Sequence, residues 1–88
     1  MMTTMHRANV RQNDRGQWEA ELSPDSWWPC RSEEDARLIA AATLVRHNEN
    51  PGHRKIMEMI AALGRNGFTI RDLLYRNVLE ALELSGAR

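Results

Sequence analysis

Apolar and polar residues alternate along the first third of the chain, residues 6–30, which is the pattern of half-buried β-strands. The alternation is clearest where Trp18, Ala20 and Leu22 share one face and polar residues take the other. A weaker alternation precedes this segment across a turn-forming Asn-Asp-Arg-Gly stretch, so the two segments predict a β-hairpin. A short third strand follows, and its Pro29 suits the edge of a sheet. We therefore predict an antiparallel sheet of two or three strands.

Apolar residues recur at helical spacing through the rest of the chain. This pattern predicts helices over residues 32–48, 51–66 and 70–85. Ser32 is placed to cap the first helix, with the Asp35 side chain reaching back to it. Gly67 is placed to end the second helix, because glycine readily adopts the left-handed conformation. The second helix would begin with Asn50 as its cap and Pro51 at its first position.

These elements predict an α+β fold with a single domain, residues 1–88, whose last two helices form an αα-hairpin. A chain of this length buries only about 60% of its unfolded surface. Cys30 is the only cysteine, so no disulfide within the chain can add stability, and a reducing compartment is indicated. The apolar positions of the third helix cover more than one stripe. A partner protein or a homodimer could therefore supply further burial.

The pair Trp27 and Trp28 lies in the predicted third strand. Neighbouring side chains of a strand point to opposite faces, so one of the two should lie off the core face of the sheet. Tryptophan is enriched among the residues that dominate binding at protein interfaces. The off-face tryptophan is therefore a candidate partner contact, and the alternative is that it packs beneath the third helix.

The formal charge of the chain is balanced, with 12 basic and 12 acidic residues. Dedicated nucleic-acid binders usually carry a basic excess or stripe. Eleven of the twelve basic residues are arginines, whose planar fork suits carboxylate or phosphate, but here acids match them. The composition therefore favours a protein partner over a nucleic acid.

The sequence offers no catalytic constellation, and we predict a non-enzymatic protein with no metal and no cofactor. The three histidines have no metal-like spacing, and no glycine-rich phosphate loop is present. Cys30 with a distant histidine could act as a nucleophile, but a buried position at the end of a strand is favoured. The acidic run Glu33, Glu34 and Asp35 is typical of the first turn of a helix.

A basic cluster, His53, Arg54 and Lys55, lies in the first turn of the second predicted helix, where the helix dipole disfavours cations. It could receive a phosphate or the carboxylate of a partner. The alternative is a solvated turn whose charge Glu58 partly offsets. The candidate partner-binding residues are Trp27, Trp28, Arg54 and Lys55.

The second and third helices could also form a helix-turn-helix. The residues that would then contact an anion or nucleic acid are His53, Arg54, Lys55, Arg71 and Arg76. Against this, the third helix also exposes Asp72, Glu80 and Glu83, and phosphate affinity depends on uncompensated cations. A plain αα-hairpin is the favoured interpretation.

The string Asp35-Ala36-Arg37-Leu38-Ile39-Ala40-Ala41-Ala42, preceded by Glu33-Glu34, resembles a motif of small bacteriophage and prophage accessory proteins. In those proteins a short strand region leads into such a helix, usually followed by Pro-Glu-Leu-Leu, where this chain has Thr43-Leu44-Val45. The resemblance implies a mobile-element origin. Small phage proteins of this kind often bind and block a host factor, and inhibitors of CRISPR complexes are prominent among them.

Residues 16–39 resemble the front of HicB-type antitoxins in the order of Gly16, Trp18 to Leu22, Pro24-Asp25, Pro29-Cys30, Glu34 and Ala36. The family's glycine between Pro29 and Cys30 and its Gly-Asp-Thr before the helix are missing here. Such antitoxins bind a small ribonuclease toxin and often carry a DNA-binding tail, a place that the last two helices could fill.

Our leading hypothesis is a small binding protein, encoded by a phage or mobile element, that blocks a host protein, for example in a bacterial defence complex. The alternative is an antitoxin-like or helix-turn-helix DNA-binding regulator. The start of the chain lacks the apolar core of a signal peptide, and the longest nearly apolar run, residues 38–45, is too short to span a bilayer. We expect a protein of the bacterial cytoplasm with no membrane contact.

Overall fold

A computed structural model of the protein describes residues 8–45 and 51–86 of the chain. The strands and helices follow in the order β1 (Val10–Gln12), β2 (Trp18–Ser23), β3 (Ser26–Cys30), α1 (Glu33–Ala42), α2 (His53–Arg65) and α3 (Leu73–Gly86). The three strands form one antiparallel sheet with β2 in the centre. This is the α+β fold that the sequence predicts.

The register of the sheet sets its apolar face. Ala20 in the central strand pairs with Val10 on one side and with Trp28 on the other, and Trp18 pairs with Cys30. Paired residues of antiparallel strands point to the same face, so these side chains form one surface. The helix α1 packs on the sheet, α2 packs on α1, and α3 packs on α2. The core lies between these layers, and Ala20 is fully buried in it.

The end of α2 is a Schellman motif, as predicted. The amide of Phe68 donates to the carbonyl of Leu63 (3.0 Å), and the amide of Gly67 donates to the carbonyl of Gly64 (3.3 Å). Gly67 has a φ of +93°, in the left-handed region that favours glycine. The turn brings Phe68 into the core, with its ring centroid 4.3 Å from that of Trp28.

Three predicted helix boundaries move because of local backbone chemistry, and the first is the end of α1. The prediction that the first helix reaches residue 48 is wrong, since α1 ends at Ala42, and residues 46–50 lie outside the described part of the chain. The hydroxyl of Thr43 donates to the carbonyl of Ala40 (2.7 Å), and the amide of Leu44 bonds three residues back, to Ala41 (3.0 Å). These bonds tighten the last turn and replace helical ones.

The start of α2 is also later than predicted. Gly52 is the N-cap, with a φ of +101°, and its carbonyl accepts from the amide of Ile56 (3.1 Å). Pro51 therefore precedes the helix, and the predicted cap Asn50 lies outside the described residues. Gly52 takes the N-cap position because glycine can adopt the positive φ with which the chain enters the helix here.

The helix α3 begins at Leu73, three residues after its predicted start. Thr69 and Asp72 do pair, but in a separate turn that precedes the helix. The Asp72 carboxylate accepts from the amide and hydroxyl of Thr69 (2.5 and 3.2 Å), and the Asp72 amide donates to the carbonyl of Thr69 (2.9 Å). The predicted hydrogen bonding between Thr69 and Asp72 is thus present, but it stabilises a turn that precedes α3.

The first turn of α1 carries a buried carboxylate that the sequence places differently. Ser32 caps the helix as predicted, accepting from the amide of Asp35 (3.1 Å). The Asp35 side chain does not reach back to Ser32. Its Oδ1 accepts from Nη2 of Arg65 (2.7 Å), and its Oδ2 accepts from the side-chain amide of Asn66 (2.9 Å). Asp35 therefore joins the start of α1 to the end of α2.

Candidate functional site

The two adjacent tryptophans lie on opposite faces of the sheet, as strand geometry predicts. Trp28 pairs with the buried Ala20, whereas Trp27 pairs with Glu21 on the other face. The indole N–H of Trp28 donates to the carbonyl of Asn66 (2.8 Å). Trp28 thus connects β3 to the end of α2 through this hydrogen bond. Trp27 is half-buried on the face that points away from the helices.

Arg11 covers the ring of Trp27. Its guanidinium carbon lies 4.0 Å from the ring centroid, within the range of a cation–π contact. The same guanidinium donates from Nε to Oε1 of Glu19 (2.7 Å), and the side-chain amide of Asn13 donates to Oε2 (3.2 Å). These hydrogen bonds, from Arg11 first and then from Asn13, hold the pKa of Glu19 below its ordinary value. The Arg11 guanidinium is therefore oriented by two partners at once, the Trp27 ring and the Glu19 carboxylate.

Glu21, the strand partner of Trp27, is held in a similar way. Its Oε1 accepts from the side-chain amide of Asn9 (2.8 Å), and its Oε2 accepts from the backbone amide of Asp25 (3.3 Å). We call this side of the sheet the open face, and it comprises Asn9, Arg11, Glu19, Glu21 and Trp27. Within residues 8–45 and 51–86, the helix that packs on the sheet does so on the opposite side.

The open face is a preorganised surface. Its aromatic ring and its arginine are already fixed by hydrogen bonds and an ion pair, so a partner would not have to order them on binding. Tryptophan and arginine are also the side chains that most often dominate interface energetics. Chemically, this arrangement can stack, donate and accept, but it brings together no nucleophile with a base.

Sequence reasoning missed Arg11, Glu19 and Glu21 as members of this site. The alternation of β2 does place both glutamates on the face away from the core. Arg11 could not be assigned, because its place over Trp27 depends on the pairing Arg11–Glu19, and pairing register is not readable in so short and weak a strand.

Trp28 was predicted to contact a partner together with Trp27, but the structure gives it a packing role. Its ring lies against Phe68, and its indole N–H is already bonded to the backbone of Asn66. A substitution there would disturb the sheet–helix junction before it reported on binding. Trp27 is the better candidate of the pair.

The basic cluster His53, Arg54 and Lys55 lies in the first turn of α2, and all three side chains are exposed. Because α2 belongs to the helical side of the molecule, the structure does not bring this cluster together with Trp27 in one site. Lys55 lies 3.6 Å from a carboxylate oxygen of Glu58, the partial offset that the sequence suggests.

Lys55 also lines a groove of about 450 Å³ between α1 and α2. The charged residues of that groove are Glu33, Glu34, Arg37, Lys55 and Glu58. Three carboxylates therefore face two cations, and Arg37 is already paired with Glu33 (Nη2–Oε2 2.5 Å). Such a groove disfavours a phosphate.

The two arginines of the helix-turn-helix hypothesis, Arg71 and Arg76, are exposed. Arg71 lies in the turn before α3, and Arg76 shares one side of α3 with Glu83, seven residues further along. A recognition helix with an acid so placed would repel phosphates, so this geometry does not strengthen the DNA-binding alternative.

Cys30 is buried, and burial raises the pKa of its thiol to about 11. The thiol donates a weak hydrogen bond to the carbonyl of Trp28 (3.4 Å). This is the environment of an inert structural cysteine. Among the residues that the structure describes, no cluster of three or more His, Cys, Asp or Glu side chains could hold a metal ion. In the same ranges, no helix has the length and apolar character needed to cross a bilayer.

The open face is identified by its geometry. It combines a half-buried Trp27, a fixed Arg11 and hydrogen-bonded carboxylates on a side of the sheet without a helix in the described chain. Comparison of the chain with protein-family models, with curated proteins and with solved structures finds no match in any of the three.

Proposed function

We propose that this protein is a non-enzymatic binding protein whose open face occupies the surface of another protein. One observation carries the proposal: Trp27 lies on the side of the sheet that no helix of the described residues covers, with the Arg11 guanidinium 4.0 Å above its ring. A tryptophan that served only the core would lie on the helical side of the sheet, as Trp28 does against Phe68 and Asn66. Tryptophan and arginine, the two side chains in contact here, are the residue types enriched among those that dominate binding at protein interfaces.

The charges around Trp27 fit a protein partner better than a nucleic acid. The open face carries one arginine and two glutamates, and Arg11 is engaged by Glu19. A polar rim of hydrogen-bonded side chains around an aromatic centre is the usual anatomy of protein interfaces.

The resemblance of residues 33–42 to phage accessory proteins supports a mobile-element origin, and so a target in the bacterial host. We propose that the target is a host protein whose activity is blocked by occupation of its surface, in the manner of inhibitors of CRISPR and other defence complexes. Arg54 and Lys55 would form a second, separate contact with a partner large enough to reach the helical side.

The test is a pull-down of the tagged protein from a bacterial host lysate, with and without nuclease, followed by binding measurements with the purified partner. Trp27→Ala should weaken binding about tenfold or more, whereas Gly64→Ala, at an exposed residue at the other end of α2 from Arg54 and Lys55, should leave it unchanged. Equal affinity of the Trp27→Ala variant and the natural protein would overturn the proposal.

The same experiment separates the alternatives. Recovery of a small ribonuclease would favour the antitoxin hypothesis. Recovery that vanishes with nuclease would favour a DNA-binding regulator, whose affinity should then fall steeply with salt.

A further inference from the structure

The outer edge of β1 carries backbone groups that no strand of the described residues, 8–45 and 51–86, pairs with. The amide of Glu21 donates to the carbonyl of Asn9 (2.9 Å), and an antiparallel strand bonds to one neighbour at every second residue. The N–H and C=O groups of Val10 and Gln12 therefore point away from β2, towards the outer edge. Such a row of donors and acceptors binds an extended backbone.

The other edge of the sheet, on β3, is largely closed. Because Glu21 bonds to β1, the alternate residues of β2 bond to β3, and Pro29 and Arg31 direct their backbone outwards. Proline has no N–H, and the amide of Arg31 donates to the side-chain oxygen of Asn66, just after α2 (2.8 Å). The two edges therefore differ, and only that of β1 offers a pairing site.

No charge guards the edge of β1. Its one charged side chain, Arg11, reaches inwards across β2, where it bonds to Glu19 and covers the ring of Trp27. Edge strands that stay unpaired are often protected by a proline, a bulge or a charge at the edge. Although β1 (Val10–Gln12) is short, it has none of these three devices.

An apolar groove of about 240 Å³ lies beside the same edge, between β1 and α1. A strand paired with β1 would direct every second side chain into this groove, because the side chains of a strand alternate between its faces. The one charged residue of the groove, Arg37, is already paired with Glu33. The site therefore fits a strand with an aliphatic side chain on the side of α1. The groove is lined by Ala8, Val10, Arg37, Ala40, Ala41 and Leu44.

We propose that this strand is β1 of a second copy of the protein, antiparallel to the first about a two-fold axis at Val10. The register places Val10 opposite Val10 and Ala8 opposite Gln12, so the outward backbone groups of both copies are paired. Val10 lies on the same face as the buried Ala20, so each copy brings its valine to the groove of the other. The edge is thus complementary to itself.

The charges beside the edge agree with an axis at Val10. Arg11 of each copy is then opposite the neutral Asn9 of the other, and each Arg11 keeps its own Glu19. An axis at Arg11 would place two arginines directly opposite each other. An axis at Gln12 would pair β1 with the turn that follows it, since the strand ends there.

The helices leave room for the second copy. The helix α1 packs mainly on the central strand, and the two central strands of the dimer would be three strand spacings apart, about 14 Å at about 4.8 Å each. Packed helices need about 8–10 Å between their axes, so α1 and its copy do not clash. The dimer would be one sheet of six strands, three from each copy, with two open faces side by side. This association goes beyond the proposed function and does not depend on it.

The first test is sedimentation equilibrium from micromolar to submillimolar concentrations, with no partner present. The natural protein should form a dimer, and Val10→Glu should weaken its association by roughly a hundredfold, because it puts two carboxylates opposite each other across the axis. Met57→Glu adds the same charge at an exposed residue of α2 and should leave the dimer intact. A monomeric natural protein, or a folded Val10→Glu variant that associates as well as the natural protein, would overturn the proposal. Circular dichroism checks that each variant is folded.

The second test needs no destabilising variant and fixes the register. Val10→Cys should form a disulfide between copies on mild oxidation, because the Cα atoms of such an opposed pair are about 5.5 Å apart. In the same register the two copies of residue 12 lie about 14 Å apart along the strands, at about 3.4 Å per residue, so Gln12→Cys should not cross-link. The natural protein, whose Cys30 is buried, is the second control. A Val10→Cys protein that cross-links no faster than Gln12→Cys would refute the interface.

Discussion

Arg65, the last residue of α2, forms an ion pair with the buried carboxylate of Asp35 in the first turn of α1, with 2.7 Å between Nη2 and Oδ1. Asn66 completes the junction, since its side-chain amide donates to Asp35 (2.9 Å) and its side-chain oxygen accepts from the amide of Arg31 (2.8 Å). Three segments that are distant in sequence, the end of β3, the start of α1 and the end of α2, are thereby fixed to one another.

Replacing Asp35 by alanine should lower the free energy of unfolding by about 2 kcal/mol, because it removes charge-assisted hydrogen bonds from a buried site. The measurement is urea denaturation followed by tryptophan fluorescence. Arg37→Ala is the matched control, since it removes an ion pair with Glu33 that is exposed on both sides and should cost less than about 0.5 kcal/mol. Similar losses for the two variants would show that the junction adds nothing beyond a surface pair.

The Asp35 junction should also make stability depend on pH. The hydrogen bond from Arg65, and after it that from Asn66, holds the pKa of Asp35 below its ordinary value of 3.8, although burial acts in the other direction. A lowered folded-state pKa means that the stabilisation is complete above the unfolded-state value and is lost as pH falls through the folded-state value.

The difference in unfolding free energy between the natural protein and the Asp35→Ala variant should therefore be constant near pH 7 and shrink below about pH 4. Urea titrations of both proteins between pH 7 and pH 2.5 measure it. A difference that grows on acidification would contradict the assignment of the ion pair.

The adjacent tryptophans should separate stability from binding. Trp28→Ala should cost about 2–3 kcal/mol of unfolding free energy, because it removes the ring that packs on Phe68 and the hydrogen bond to Asn66. Trp27→Ala should cost about 1 kcal/mol or less, since only a cation–π contact and partial burial are lost. Thermal unfolding of the two variants compares their stabilities directly. A larger loss of stability for Trp27→Ala than for Trp28→Ala would contradict the assignment of Trp28 to the core face of the sheet.

The same substitution should have opposite effects at two glycines near the end of α2, Gly64 within the helix and Gly67 just after it. Gly67→Ala should destabilise the protein by about 1 kcal/mol, because the φ of +93° at this residue is strained for any side chain. Gly64→Ala should stabilise it by about 0.5–1 kcal/mol, because Gly64 is helical and a methyl group there meets no atom within 4 Å apart from the adjacent residues and the backbone of its own helix. Chemical denaturation of the pair tests the Schellman end of α2. Equal effects would mean that the helix ends elsewhere.

The sequence allowed the fold to be predicted wherever a local signal acts alone. Alternation placed Trp18, Ala20 and Leu22 on one face, and Gly67 identified the end of α2. Contacts between distant segments were not readable. Asp35 looked like an ordinary capping acid, because only the folded chain brings Arg65 to it. For the same reason, the place of Arg11 over Trp27 needed the register of the sheet, which no local pattern encodes.

Cys30 should be unreactive in the folded protein. Its thiol is buried and its pKa is raised to about 11, first of all by that burial, so almost no thiolate exists near neutral pH. At pH 8, modification by a thiol reagent such as dithionitrobenzoate should be at least a hundredfold slower in the native protein than in 8 M urea, roughly as expected when reaction requires opening of the fold. The Trp28→Ala variant is an informative comparison. Cys30 is two residues from Trp28 in β3, and its thiol donates to the backbone carbonyl of Trp28. If the native thiol reacted as fast as the unfolded one, Cys30 would have to be accessible, and both its packing and the prediction of an inert cysteine would be wrong.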